Sequence, residues 1–224
     1  MTFQPIRIGN TVITRKAKTK DMYEIRNDMS PHLMKSIKVS SFEATDVMTL
    51  REYLKRNDHI TELYVALCLA HDLGRQMQSL ILGGHGIACF GPDDVVIITH
   101  RSSDAFTHKD PDVSTDNDPQ FLFLNDHLIF EVDESDGSLL IDRALKTSTA
   151  FLSPEMLTQS PPVHRVHFKT AYYSAARLII YFLLNVDANE PTAEDLHPIK
   201  DTKLYWFLLR CLNPAPSERN YIYI

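Results

Sequence analysis

At 224 residues the chain is long enough for one or two domains with a real buried core. Its 44% apolar and 23% charged residues are those of an ordinary globular protein, and its formal charge of −6 offers no blanket attraction to nucleic acid or anionic membrane, which need clustered Lys and Arg. The cysteines, Cys68, Cys89 and Cys211, are odd in number, lack Cys-x-x-Cys spacing and lie in apolar neighbourhoods. They read as buried reduced thiols, which points to a reducing compartment; the expected location is cytoplasmic, with the nucleus left open. Met-Thr-Phe-Gln-Pro at the start shows no basic-then-apolar signal pattern.

In chain order, Pro5 to Ile8 and Thr11 to Thr14 lean towards β-structure, and a basic patch follows (Arg15, Lys16, Lys18, Lys20) that reads as a solvated face. Lys20 to Met29 suggests a short helix ended by Ser30-Pro31, because Pro disfavours helical geometry in the residue before it. Leu33 to Phe42 then reads as one or two strands. Thr49-Leu-Arg-Glu52 is a capping box that opens a short helix over 50–56. A longer helix from Thr61 carries Leu63, Ala66, Leu67, Ala70, Leu73, Met77 and Leu80 at three- and four-residue steps, with His71 and Asp72 facing out.

Gly83-Gly84 stops that helix. Residues 86–90, 91–94 and 95–98 read as strand, turn and strand. Arg101 to Asp118 is polar with no apolar period and reads as a surface loop. Phe121 to Val132 alternates enough for a strand pair, Ser135-Asp-Gly137 makes a turn, and Ser138 to Asp142 another strand. Phe168 to Leu184 is very apolar, but Lys169 and Arg177 interrupt it and it falls short of a clean membrane span. It reads as a core helix, preceded by the Pro-rich Ser160-Pro-Pro162 and followed by an acidic connection over 187–195. A last amphipathic helix covers about Lys203 to Leu212. The expectation is strands early and helices late, without internal repeats.

Two distant stretches carry a resemblance: Thr149-Ala-Phe-Leu-Ser-Pro-Glu-Met-Leu157 and Cys211-Leu-Asn-Pro-Ala-Pro-Ser-Glu-Arg219. Together they resemble two halves of a device in the C-terminal lobe of protein kinases, where the Glu of an Ala-Pro-Glu segment pairs with an Arg of a late helical loop. The resemblance implies that Glu155 and Arg219 form a largely buried ion pair holding the activation segment to the helical lobe. Residues 49–54 are similar to the helix after the kinase hinge, and 61–80 to the long helix before the catalytic loop. The implied fold class is α+β and protein-kinase-like: a reduced, β-containing N-lobe segment at 1–48, then a mostly helical C-lobe at 49–224 with a polar loop insertion at about 99–119.

Phosphoryl transfer in such a fold needs a Gly-rich loop, a Lys on the third strand, a catalytic Asp and metal ligands. No Gly-x-Gly-x-x-Gly occurs, and Gly9 is the only Gly before residue 74. Lys16 could stand for the nucleotide-contacting Lys, though an ordinary exposed Lys is the simpler reading. The resemblance places the family's His-Arg-Asp triplet at His85-Gly86-Ile87, where Ile87 cannot accept a proton. It places the metal-ligand Asn at Asp93 or Asp94 and the Asp-Phe-Gly triplet at Asp126-His-Leu128, or alternatively at Asp142-Arg-Ala144. These carboxylates also read simply as turn-forming or solvated groups. Tyr173-Ser-Ala-Ala176 matches the start of the family's core helix, which puts Ala171 where an anchoring Asp belongs. His164 and His167 would chelate a metal only on a helix, and no acidic or thiol ligand lies near them in sequence. No Ser has the Gly-x-Ser-x-Gly setting of a nucleophile.

The resemblance therefore implies a pseudokinase or truncated kinase homologue with no catalytic residue, cofactor or metal. Its partner would be a protein, a kinase foremost, as for truncated viral kinase mimics that interfere with host kinases; neither nucleic acid nor membrane is expected. The alternatives are a peptide-binding module like the non-catalytic C-lobe domain of actin-nucleation regulators, and a divergent active Ser/Thr kinase.

Overall fold

The computed structural model describes residues 3–16, 19, 21–57, 62–100, 118–145, 149–158, 164–185 and 195–221. Two-residue alternation governs the start. β1 (Ile6–Ile8) and β2 (Thr11–Arg15) run antiparallel with Ile6 opposite Ile13, and Gly9 supplies the φ of +57° needed in the turn between them. β3 (Met22–Arg26) and β4 (Ser41–Glu43) complete a sheet of order β1-β2-β3-β4. The helix expected over 20–29 is thus a strand: Tyr23 and Ile25 alternate into the core, and the strand period prevails. Ser30-Pro31 starts a helix rather than ending one. In α1 (Pro31–Ile37) the Ser30 hydroxyl caps the Leu33 amide and Pro occupies the first turn, where a missing N–H costs nothing. The first half of the strand expected over 33–42 is therefore helix, and only β4 remains of it.

β5 (Asp46–Thr49) straddles position 48 and joins a later sheet, β5-β7-β8, with β7 (Val95–Thr99) and β8 (Gln120–Phe123). Both halves of the Thr49–Glu52 capping box are present at the start of α2 (Leu50–Arg56). α3 (Leu63–Leu82) buries Ala66, Leu69, Ala70, Leu73, Met77 and Leu80, whereas Leu63 is exposed. Gly84, with φ of +75°, turns the chain from α3 into β6 (His85–Ile87). A third sheet has the order β11-β10-β9-β6, built with β9 (Ile129–Asp133), β10 (Ser138–Ile141) and β11 (His164–His167). The strands expected as a pair over 121–132 thus lie in different sheets. After α4 (Pro154–Thr158), helix α5 (Thr170–Leu184) is buried nearly all round, and α6 (Lys203–Cys211) is followed by a 3-10 turn at Pro216–Glu218 that leads to Arg219. Fully buried side chains on α5 such as Leu178 and Phe182 each contribute about 1.5–3 kcal/mol.

The protein is a mixed α+β structure with antiparallel sheets. The region after residue 49 is less helical than expected, since β6 to β11 all lie within it. β7 is buried on both faces and shows no alternation, and β11 has a single apolar residue, so neither announces its sheet. Cys89 and Cys211 are buried and Cys68 only partly so. Among the described residues no helix is long and apolar enough to cross a membrane. Residues 101–117 of the polar loop, Lys18, Lys20, Thr61, 160–162 and most of the acidic connection lie outside the described residues.

Candidate functional site

Glu155 and Arg219 are 64 positions apart, and the fold joins them through two parallel hydrogen bonds. Arg219 Nη1 donates to Glu155 Oε1 at 2.5 Å and Nη2 to Oε2 at 2.8 Å, the fork-to-fork geometry that suits guanidinium and carboxylate. The guanidinium is fully buried; its Nε donates to the Asn213 carbonyl at 2.7 Å, and it lies 5.1 Å from the Tyr173 ring centre. Glu155 is largely buried, its side chain keeping 17% exposure. Burial pushes its carboxyl up, but the Arg219 hydrogen bonds, helped by the backbone and Ser153, outweigh burial and hold it below the usual carboxylate range. The same segment is stitched to α5 by buried hydroxyls. Ser153 and Thr170 share a hydrogen bond, and Ser174 Oγ donates to the Phe151 carbonyl at 2.7 Å.

The triplet in β6 sits in a strand, not an open loop. His85 Nδ1 donates to the Gly83 carbonyl at 2.7 Å, and its ring stacks on His32 of α1 with centres 3.7 Å apart. A Cβ on Gly86 would meet Leu139 Cδ2 at 2.9 Å and Phe168 Cβ at 3.3 Å, so a larger residue there would have to displace the Leu139 side chain. Ile87 is 2% exposed and faces Ile129 across the β6–β9 ladder. Ala171, at the start of α5, is likewise a core methyl.

Asp94 and Asp126 are brought together around Asn125. Asp94 closes a tight turn: its Oδ2 accepts from the Gly91 amide at 2.8 Å and its Oδ1 from Asn125 Nδ2 at 2.6 Å. Burial raises the Asp94 carboxyl above its ordinary range, with those two hydrogen bonds opposing. Asp126 begins a short 3-10 turn, and its side chain is only 6% exposed. Its Oδ1 accepts from the Asn10 amide and its Oδ2 from Asn10 Nδ2, each at 2.9 Å. Arg143 braces this turn from the other side, donating to the carbonyls of His127 and Ile129 and lying 4.4 Å from the Phe130 ring centre. Both oxygens of each carboxylate thus accept from donors of the chain itself.

The other sequence candidates take no part in these hydrogen bonds. Asp93 is exposed and pairs with Arg51 at 2.6 Å; Asp142 is exposed just after β10. Lys16 is exposed, its Nζ donating to Ser41 Oγ at 3.0 Å. His164 and His167 lie on strand β11, where helical spacing does not apply. Among the described residues no group of three or more His, Cys, Asp or Glu could hold a metal ion. Asn10, Asn125 and Arg143 were not singled out by sequence. The one signal for Asn10 was a Gly-Asn pair between two β-leaning runs, a hairpin mark that does not say what the turn touches. No protein-family model matches the chain, and no curated protein matches it.

Proposed function

We propose that the chain is a catalytically inactive, kinase-like protein that acts by binding another protein, an intact kinase foremost. The observation that carries this reading is the Glu155–Arg219 pair that the resemblance implies, made here by two parallel hydrogen bonds and anchored to α5 by Ser153 and Ser174. The residues the resemblance assigns to chemistry support it from the other side. Ile87 is a core residue, and the Asp94 and Asp126 carboxylates already accept hydrogen bonds from Gly91, Asn125 and Asn10.

The reading predicts no rise in melting temperature with Mg²⁺-ATP, because a ligand that binds only the folded state must raise it. It also predicts saturable binding to at least one intact kinase domain in a panel of purified domains. A nucleotide-induced rise, with phosphate transfer to a generic substrate, would favour the divergent kinase instead. Failure to bind any member of the panel would remove the inhibitor reading.

A further inference from the structure

The N-terminal sheet meets the Leu124–Asp126 segment through a row of polar contacts that the proposed function does not use. Asn10 gives both of its donors to Asp126. Next along β2, Thr11 Oγ1 donates to the Leu124 carbonyl at 2.7 Å, and Asn27 Nδ2 donates to Thr11 Oγ1 at 2.9 Å. Asn27 Oδ1 in turn accepts from the amides of Met29 and Ser30, which lead directly into α1. Thr11 and Asn27 are buried, so these groups cannot exchange their partners for water while the sheet stays in place. Gly9 fits against the segment only because it has no side chain: a Cβ there would overlap Asp126 Oδ1 and lie 2.8 Å from Asn125 Oδ1.

We propose that the Gly9-Asn10 turn is a latch that holds the β1–β2 hairpin closed over the Asp94–Asn125–Asp126 cluster and can release without the rest of the fold opening. Polar groups make up the contact of Gly9 and Asn10 at the tip, whereas the flanking residues Ile8 and Ile13, with Tyr23 and Ile25, belong to the hydrophobic core and anchor the rest of the hairpin. Release at the tip replaces Asn10 with water at the Asp126 carboxylate and uncovers little apolar surface, which is the profile of a low-energy local opening. Closure is then the resting state, and any ligand of Asp126 has to displace Asn10 first. This inference stands on the hydrogen bonds themselves and holds whether or not the protein is kinase-like.

Hydrogen–deuterium exchange on the full chain tests it. In the native protein, peptides covering residues 7–14 should be protected relative to an unstructured chain. Asn10→Ala, at an exposed turn position, should speed exchange in those peptides by about ten-fold or more while peptides from α3 and α5 stay unchanged. Gly9→Ala should do the same by a steric route. The latch is wrong if native residues 7–14 exchange at unstructured rates, if neither variant changes them, or if the loss of protection spreads equally through α3 and α5. Because the readout involves neither nucleotide nor partner, its failure is distinguishable from failure of the proposed function.

Discussion

An arginine with no exposed surface must find all its partners within the chain, and Arg219 finds them in Glu155, the Asn213 and Pro214 carbonyls and the face of Tyr173. Such a pair adds little net stability while intact, yet removing one member strands the other, at a cost of roughly 3–5 kcal/mol. Arg219→Ala should therefore lower the urea midpoint severely, and near-normal unfolding would show that the pair does not anchor the segment. The pH dependence has a definite sign. Glu155 sits below its ordinary value of 4.5, so its stabilisation is complete above that range and is lost as pH falls through the depressed folded value. Asp72 and Asp94 are raised above 3.8 by burial, so their contribution is present below that value and is lost as pH rises through the raised one. Glu155→Gln removes only the first trend. Its stability deficit relative to the native chain should be constant above about pH 5 and shrink towards acid; urea midpoints measured across the acid range should show this, and a widening gap would contradict the assignment. The Glu155–Arg219 pair was legible because each member sits in a distinctive local run. The Asn10–Asp126 contact was not, since it joins residues 116 positions apart through a hairpin tip whose docking no local pattern encodes.

Helix α3 shows how one element finishes another. β8 is an edge strand, and its outward amides and carbonyl need partners. Asp72 accepts from the Phe121 amide at 2.9 Å, while Gln76 accepts from the Phe123 amide at 2.9 Å and donates to the Phe123 carbonyl at 2.7 Å. The spacing matches because four helical residues rise about 6 Å and two strand residues about 7 Å. Asp72 is thus turned onto the strand rather than outward, as its charge suggested, and Gln76, buried among apolar neighbours, also donates to Ser36 of α1. Gln76→Leu keeps the bulk but leaves the Phe123 amide and carbonyl unsatisfied, which should cost about 2–3 kcal/mol in urea unfolding. A loss within experimental error would mean water reaches that edge. Elements with a sustained stripe, α3, α5 and α6, were readable from sequence. β3 and α1 were exchanged because a Pro after Ser marks a helix stop and a helix start equally well, and only the alternate burial of Tyr23 and Ile25 decides between them.

At the scale of the molecule, the question is whether the N-terminal sheet is a separate reduced lobe or part of one cooperative body. Ile13, Tyr23 and Ile25 share a hydrophobic core cluster with Leu73 of α3 and Leu178 of α5, and α1 is tied to α3 through Ser36 and Gln76. Opening the hairpin tip leaves that core intact, so local release and global unfolding are different events. The single tryptophan, Trp206 on α6, is 55% exposed and lies in an element far along the chain from the first sheet. Its fluorescence therefore reports on the C-terminal part, whereas far-UV circular dichroism reports on all the sheets and helices. A shared core predicts coincident urea transitions by both probes, even though chains of this length often unfold through intermediates. A circular-dichroism change that precedes the Trp206 transition would show that the first sheet unfolds independently, and the contacts from Thr11 to Leu124 would then be a docking of two units instead of the seam of one.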